Sequence, residues 1–255
     1  MSKARAIIAL LAALTLAPAA LHAGTSAAAL YNQGNALYQQ GRFAEAREAY
    51  GKALEAGAGN ADLYFNLGNA ELKSGELGRA VGDYLRAQRL EPRDPDLRFN
   101  LAYARAMITA RLPELPQGPF TRAFNAAVEY LSASEWTAAA LAAYWALALA
   151  AIAMIVARGR AREASRLALY IAAAALVITL PFAATRIKRD VFTPRGVIVA
   201  EKVTAHSGPG DENAALFDLV SGIDVTVAQC DRGWCNVSAP GGFSGWVEAK
   251  SFERL

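Results

Sequence analysis

The sequence has 255 residues, a net charge of +3, two cysteines and two histidines, and 54% of its residues are hydrophobic. This apolar fraction is typical of a protein that lies partly in a membrane, and the length leaves room for two small domains besides. The charge does not indicate nucleic-acid binding, because much of it flanks apolar segments at Arg158–Arg166 and Arg186–Arg189, where basic residues set membrane topology. We expect no cofactor and no metal site, because so few cysteines and histidines are present.

The N-terminal segment Met1–Ala23 has the order of a secretory signal. Two basic residues precede an apolar run from Ala6 to Ala17, and proline and small residues follow. Cleavage after Ala23 is the first choice, and cleavage after Ala27 or Ala29 is an alternative. If the segment stayed uncleaved, it would be a short anchor. In each case we expect the residues that follow to be exported.

Residues 27–111 repeat with a period of 34. The hexapeptide that begins at Tyr31 returns at Phe65 and again at Phe99, and small residues and glycines recur at the same interval. This period, with its Ala-x3-aromatic-x2-Ala pattern, resembles the tetratricopeptide repeat (TPR), in which pairs of helices stack into a superhelix. The resemblance implies two full repeats followed by one capping helix.

The first helix of each repeat also carries asparagines that recur with the same period, and two of them at i and i+3 share one helix face. In TPR proteins the first helices line a concave groove, so the resemblance implies that these residues bind an extended peptide. The predicted partner-binding residues are Asn32, Asn35, Asn66, Asn69 and Asn100, with Tyr31, Phe65 and Phe99 beside them. The alternative is that the asparagines bond backbone groups or water within the stack. The cations that bind a free carboxylate in some relatives are not obvious here, which favours an internal segment as the ligand.

Residues 112–135 are a predicted linker and juxtamembrane helix. Prolines break the helical pattern first, and then Phe120, Phe124, Val128 and Leu131 form one apolar stripe. A helix of this kind is suited either to the membrane interface or to packing on the repeats. The sequence leaves both alternatives open.

Two uncharged runs predict a transmembrane hairpin. Trp136–Ala157 and Leu167–Thr185 are roughly 33 and 28 Å long as helices, close to the ~30 Å bilayer core. The loop 158–166 holds four arginines against one glutamate, which places it in the cytoplasm and both flanking domains in the periplasm. The basic residues just past the second run argue weakly the other way. The alternative is a buried helical hairpin in a soluble protein, although these runs are longer than most core helices need.

The C-terminal segment 195–255 changes to β-branched runs separated by turns, which predicts a small all-β barrel. The order of Ser207-Gly208-Pro209-Gly210, Gly233-Trp234 and Gly245-Trp246 resembles the bacterial SH3 (SH3b) domain. His206 stands where that family has an arginine, so a ligand contact at this position does not carry over. The resemblance implies that Trp234 and Trp246 are core and groove-wall residues.

Cys230 and Cys235 flank the four residues Asp231–Trp234. If these four form a hairpin loop, the cysteines face each other across two strands. An exported domain lies in an oxidising compartment, so we predict a disulfide. The alternative is a pair of free, partly buried thiols.

The order of the segments predicts a multidomain membrane protein with an all-α TPR superhelix, a two-helix transmembrane hairpin and a small all-β SH3-like barrel. This order resembles the BatE-type proteins of the Bacteroides aerotolerance (Bat) system. The resemblance implies an inner-membrane scaffold for proteins with von Willebrand factor A domains and, indirectly, for a MoxR-type AAA+ ATPase in stress tolerance. We expect it to bind its partners through both the TPR groove and the SH3b domain. The alternative is a cell-wall module, because SH3b domains in other proteins bind peptidoglycan. We expect no enzyme and name no catalytic residue, since His206 is the one histidine after signal removal and no nucleophile or nucleotide motif occurs.

Overall fold

The computed structural model describes residues 19–108 and 118–255, with side chains described from residue 27. Most of the predicted signal peptide, residues 1–23, and the proline-rich linker at 112–117 lie outside the described residues. The described helices are α1 (Ala19–Gln39), α2 (Phe43–Glu55), α3 (Ala61–Lys73), α4 (Leu77–Leu90), α5 (Pro95–Ala106), α6 (Pro119–Tyr130), α7 (Ala133–Val156) and α8 (Arg160–Ile187). A C-terminal sheet follows, so the predicted combination of TPR helices, two long apolar helices and a β domain is confirmed.

Helices α1 to α5 form the repeat region, in which α1–α2 and α3–α4 are the two full units and α5 is the capping helix. The sequence repeats the start signals of the helices as well as their interiors. Asn60 and Asp94, one repeat period apart, accept hydrogen bonds at 2.8 Å from the backbone N–H groups of Leu63 and Leu97. These N-caps satisfy donors that have no partner inside α3 and α5.

Within each unit a glycine of the first helix receives a tyrosine of the second. Tyr50 is fully buried against Gly34, and Tyr84 is fully buried against Gly68. A Cβ atom on either glycine would lie within 3.0 Å of its tyrosine ring. The repeated Gly–Tyr pair is therefore required by the close approach of the two helices.

Helices α7 and α8 form the antiparallel apolar hairpin. Ser132 and Glu135 form a capping box at the start of α7. Both helices are long and apolar enough to cross a membrane, and only 17% and 11% of their most apolar windows are buried. This exposure disfavours the alternative of a soluble-core hairpin, because core helices are mostly buried. The turn is shorter than the predicted loop 158–166, since α8 begins at Arg160 after Gly159, whose φ is +57°.

The C-terminal domain is one antiparallel sheet that encloses its own apolar core. Its strands are β1 (Arg195–Ile198), β2 (Lys202–His206), β3 (Ala215–Val220), β4 (Asp224–Asp231), β5 (Trp234–Ala239), β6 (Phe243–Glu248) and β7 (Phe252–Arg254), in the order β3-β2-β6-β5-β4-β1-β7. The outermost strands β3 and β7 come from the middle and the end of the domain. The short β1 follows α8 closely, so the sheet begins where the hairpin ends.

Candidate functional site

A ladder of side-chain hydrogen bonds connects the first helices α1, α3 and α5. Asn66 donates from Nδ2 to the hydroxyl of Tyr31 at 2.8 Å and to Oδ1 of Asn35 at 3.3 Å. One repeat later, Asn100 donates from Nδ2 to Oδ1 of Asn69 at 2.8 Å. The structure therefore brings most of the predicted asparagines together and bonds them to one another across neighbouring helices.

The second helices join this ladder from behind. Tyr50 donates its hydroxyl proton to Asn35 Oδ1, and Tyr84 donates to Asn69 Oδ1, each at 2.7 Å. Burial is the main cause that raises the pKa of Tyr50 to about 12, and it also raises the pKa of Tyr84. Both hydroxyls therefore keep their protons at neutral pH and act as donors. These hydrogen bonds lie within the stack, as in the alternative to peptide binding, but the partners are side chains. Asn32 is exposed. Peptide binding by this face stays a prediction.

The aromatic residues beside the ladder become more exposed toward α5. Tyr31 and Phe65 are half-buried, because each ring packs about 6 Å from the tyrosine of its own unit. Phe99 is 70% exposed. The position one repeat period after Tyr84 is Gly118, so no third tyrosine follows to cover Phe99. The capping helix thus presents the open end of the aromatic row.

Two further side chains that the sequence analysis did not single out extend this open surface. Tyr103 and Met107 lie one and two helical turns after Phe99 and are 56% and 47% exposed. The buried residues of α5, Leu97 and Leu101 among them, lie on its other side. The sequence signal for this surface is that α5 has large apolar residues every four positions on two faces, one with Leu97 and Leu101 and the other with the exposed residues. We call Phe99, Tyr103 and Met107 the α5 surface.

The SH3b domain packs on the back of the repeats, against α4. Val197 of β1 belongs to the buried cluster of α4 and α5, and the C-terminal Leu255 packs on the same cluster. A Cβ atom on Gly78 would lie 2.3 Å from the carbonyl oxygen of Ile198. At the other end, Ile108 packs into the SH3b core. The two domains are therefore in direct contact, through α4 and the C-terminal end of α5.

Arg86 of α4 is the main polar link between the domains. Its guanidinium donates to Asp83 at 2.6 Å and to Glu253 of β7 at 2.7 Å, and it also donates to the carbonyl of Arg254. A second link joins Arg105 of α5 to Asp224 at 2.9 Å. These contacts orient the SH3b domain on the repeats.

A buried carboxyl pair lies beside Arg86. Glu71 of α3 and Asp83 of α4 are 5% and 3% exposed. Burial, with the neighbouring Asp83 as the next cause, raises the pKa of Glu71 to about 10. Burial also raises the pKa of Asp83, although Arg86 opposes this shift. Burial and the contact between the two carboxyl groups both favour the protonated form of Glu71.

The SH3b domain has a cleft of its own with a volume of about 400 Å³. Trp234 and His206 line it, with their rings in edge contact at 5.5 Å, and Lys202, Asp211 and Lys250 surround it. Trp246, the other predicted tryptophan, is half-buried and is the backbone register partner of His206 between β2 and β6. It does not line the cleft. The predicted site residues thus fall into two separate places, one on each domain.

Cys230 and Cys235 form a disulfide between β4 and β5. The two residues are a cross-strand pair, and the turn between the strands places Arg232 and Gly233 at φ of +48° and +85°. The predicted hairpin and its disulfide are both present. Among the described residues, no group of three or more histidine, cysteine or acidic side chains is placed to hold a metal ion.

Two family models match parts of this chain. A tetratricopeptide repeat model matches residues 4–61, 31–95 and 65–108, and a bacterial SH3 domain model matches residues 199–251. No curated protein matches the chain. Tetratricopeptide and SH3 domains are typical non-enzymatic interaction modules, which supports an adaptor role.

Solved structures show only distant similarity. PcrH in complex with the chaperone binding region of PopD is 18% identical, with a TM-score of 0.30, over 66% of this chain and 96% of that chain. The first TPR of Spaghetti (RPAP3) bound to the HSP90 peptide SRMEEVD is 21% identical, with a TM-score of 0.21, over 34% of this chain and 95% of that chain. Both similarities are too low to bear on the function of this chain.

Proposed function

We propose that this protein is a membrane-anchored adaptor that binds a segment of a partner protein on the first-helix face of its repeats. The α5 surface carries this proposal, because it is open and aromatic while the back of the repeats is closed by the SH3b domain. Large exposed apolar side chains that adjoin a row of polar groups are the usual composition of a protein-binding surface. The asparagine ladder supplies amide groups along the same face, and its four asparagines are among the partner-binding residues predicted from the sequence.

The proposed topology is a two-pass inner-membrane protein with both domains in the periplasm. The repeats precede the hairpin and the SH3b domain follows it, and the two domains touch, so they lie on the same side of any membrane that the hairpin crosses. The arginines around Gly159 favour a cytoplasmic turn. The disulfide fits an oxidising compartment.

The proposed partners are membrane proteins with von Willebrand factor A domains, and through them a MoxR-type AAA+ ATPase. This part of the proposal rests on the order of the segments and its resemblance to the Bat system. Anchoring the adaptor in the same membrane as its partner confines both to one surface, which raises their effective concentration. A modest affinity on the α5 surface is then sufficient for a lasting complex.

Photo-crosslinking tests the binding face. A photoreactive amino acid replaces Tyr103 in one strain and Leu216 in another, since both side chains are exposed and Leu216 lies on β3 of the SH3b domain. We expect crosslinks to von Willebrand factor A-domain proteins from position 103 and none from position 216. The further substitutions Phe99→Ser and Met107→Ser, which leave the buried residues of α5 intact, should abolish the crosslinks. Equal crosslinking from both positions, or crosslinks that persist in these variants, would contradict the proposal.

The cleft of the SH3b domain favours one alternative, a cell-wall module. Its tryptophan and its mixed charged residues are suitable for a glycan or a peptide stem. Sedimentation of the full chain in detergent with purified peptidoglycan tests this alternative. Cosedimentation that is lost in Trp234→Ala and kept in Phe99→Ser would favour the cell-wall module over the adaptor.

A further inference from the structure

Helix α6 is held beside the ends of both long helices. The ring of Phe124 lies 5.1 Å from that of Phe182 on α8, and Trp136 at the start of α7 stacks on the same Phe182 ring at 4.8 Å. The indole N–H of Trp136 donates to the carbonyl of Val128 at 3.1 Å. These contacts place α6 at the level where α7 begins and α8 ends.

Polar contacts hold α6 from two other directions. Arg189, in a short π-helical turn that follows α8, donates to Asn125 at 2.6 Å. Arg93, between α4 and α5, lies 5.5 Å from the ring of Tyr130 on α6 and donates to Glu135 at the start of α7 at 2.6 Å. Helix α6 is thus a joint that connects the repeats to the hairpin.

Large apolar side chains on α6 and on the turn after α8 are exposed. Phe120, one helical turn before Phe124, is 83% exposed, and Tyr130 at the other end of α6 is 63% exposed. Val191 and Phe192, in the turn after α8, are 68% and 73% exposed. We call Phe120, Tyr130, Val191 and Phe192 the collar.

The position of the collar indicates what covers it. A single exposed apolar residue is ordinary, but these four lie on the two segments that directly precede α7 and follow α8, whose own apolar side chains are also largely exposed. Aromatic rings at the ends of spans, beside basic residues such as Lys188 and Arg189, have the composition of a membrane–water interface. A protein partner at this level would have to displace the lipid around the spans, whereas headgroups and upper acyl chains are already there.

We propose that the collar is a second membrane contact, in which α6 and the turn after α8 lie in the interface of a phospholipid bilayer. This inference rests on the proposed membrane placement of the hairpin. It gives the collar a specific consequence, because Arg93 couples α6 to the repeats. The block formed by the repeats and the SH3b domain is then held at one orientation to the membrane, and the α5 surface is presented at a constant height.

Spin labelling of the full chain tests the collar. A nitroxide is attached to a single introduced cysteine in Phe120→Cys, Phe192→Cys, Phe99→Cys or Val177→Cys, and the two native cysteines do not react because they are in a disulfide. The purified protein is placed in vesicles of phosphatidylethanolamine and phosphatidylglycerol. Collisions with oxygen, which concentrates in lipid, are compared with collisions with a nickel chelate, which stays in water. Phe99 and Val177 are matched controls, since they are 70% and 73% exposed on the repeats and in the middle of α8.

We expect the oxygen-to-nickel collision ratio to be highest at position 177, lowest at 99, and several times higher at 120 and 192 than at 99. If positions 120 and 192 match 99 while 177 stays rich in oxygen, the hairpin is in lipid and the collar proposal is wrong. If the collar instead binds a protein partner, positions 120 and 192 should also match position 99, because no partner protein is present in the vesicles. If 177 is as accessible to nickel as 99, the membrane placement itself fails. A thermal transition equal to that of the unlabelled chain confirms that each variant is folded.

Discussion

Helices α2 and α4 occupy equivalent places in the two repeats, but their surroundings differ. Helix α2 buries four of its 13 residues, all toward the stack, whereas α4 buries eight of its 14. The buried face that they share contains the alanines and the tyrosine of the repeat. The extra buried face of α4 lies under the SH3b domain.

This difference in burial is visible at equivalent positions of the two repeats where the residues differ. Arg47 of α2 corresponds to Val81 of α4, which is fully buried, and Gly51 corresponds to Leu85. Residues that recur in both repeats thus make the contacts that the repeats share, while residues that differ between them indicate which repeat is covered by another domain. This comparison can be tested by substitutions that exchange the two environments.

The largest effect is expected from Val81→Arg, which gives α4 the residue that α2 has. Val81 is fully buried between α4 and the SH3b domain, so the new charge has no partner and no water. We expect a loss of about 3 kcal/mol or more in the free energy of unfolding, with release of the SH3b domain. Thermal unfolding in detergent and limited proteolysis measure both effects.

The matched control for this exchange is Arg47→Val. Arg47 is partly exposed, and its ion pair with Glu76 at 3.5 Å contributes little. We expect a change of less than about 1 kcal/mol. If Val81→Arg were no more destabilising than Arg47→Val, the contact between the domains would not be a stable one.

A smaller effect of opposite sign in the two helices is expected from replacing glycine by alanine. Gly51→Ala should stabilise α2 by about 0.5–1 kcal/mol, because alanine is the better helix former and no atom lies within 4 Å of the new Cβ. Gly78→Ala should destabilise the protein by about 1–3 kcal/mol, because its Cβ would overlap backbone atoms of Ile198 and Val199. Midpoints of urea unfolding measure both changes, and the same sign for both would refute this account of α4.

The second repeat should make the stability of the protein depend on pH, whereas the first repeat should not. The pKa of Glu71 is raised from 4.5 to about 10 in the folded protein, so the folded state binds more protons than the unfolded state between these values. Stability from this group is present in full below pH 4.5 and is lost progressively as the pH rises toward 10. Glu71→Gln should remove this loss and flatten the curve between pH 7 and 9.

The equivalent of Glu71 in the first repeat is Leu37, so no such slope is expected from that unit. A suitable control is Glu48→Gln, at an exposed position of α2. The two variants are compared by urea unfolding across the pH series. A slope that Glu71→Gln leaves unchanged would show that Glu71 is ionised in the folded protein.

The smallest difference between the two repeats is expected from Tyr50→Phe and Tyr84→Phe, which should have equal effects. Each removes one hydroxyl that donates to an asparagine at 2.7 Å, so each should cost about 1 kcal/mol. The SH3b domain should not alter this result, because the ladder lies on the other side of the stack. A clearly larger loss at one position, measured by the same unfolding assay, would mean that the ladder differs between the units.

Much of the fold was predictable because its signals are local. The repeat period with its recurring glycines, the uncharged runs and the turn between the cysteines each depend on residues close in sequence. The candidate site was predictable only in part. The sequence located the asparagines but not their partners, and it missed Tyr103 and Met107, because their exposure depends on which face of α5 the rest of the protein covers.

The sequence by itself determined the order of the segments, the helical repeats, the apolar hairpin, the β domain and the facing cysteines. Only the tertiary structure decided that the SH3b domain lies on α4, that α6 joins the repeats to the hairpin, and that the α5 surface stays open. Those outcomes depend on contacts such as that of Arg86 with Glu253, which are 167 residues apart. Periodicity predicts which face of a helix or strand is buried. The surface that covers this face depends on contacts between residues far apart in sequence, which form only in the folded protein.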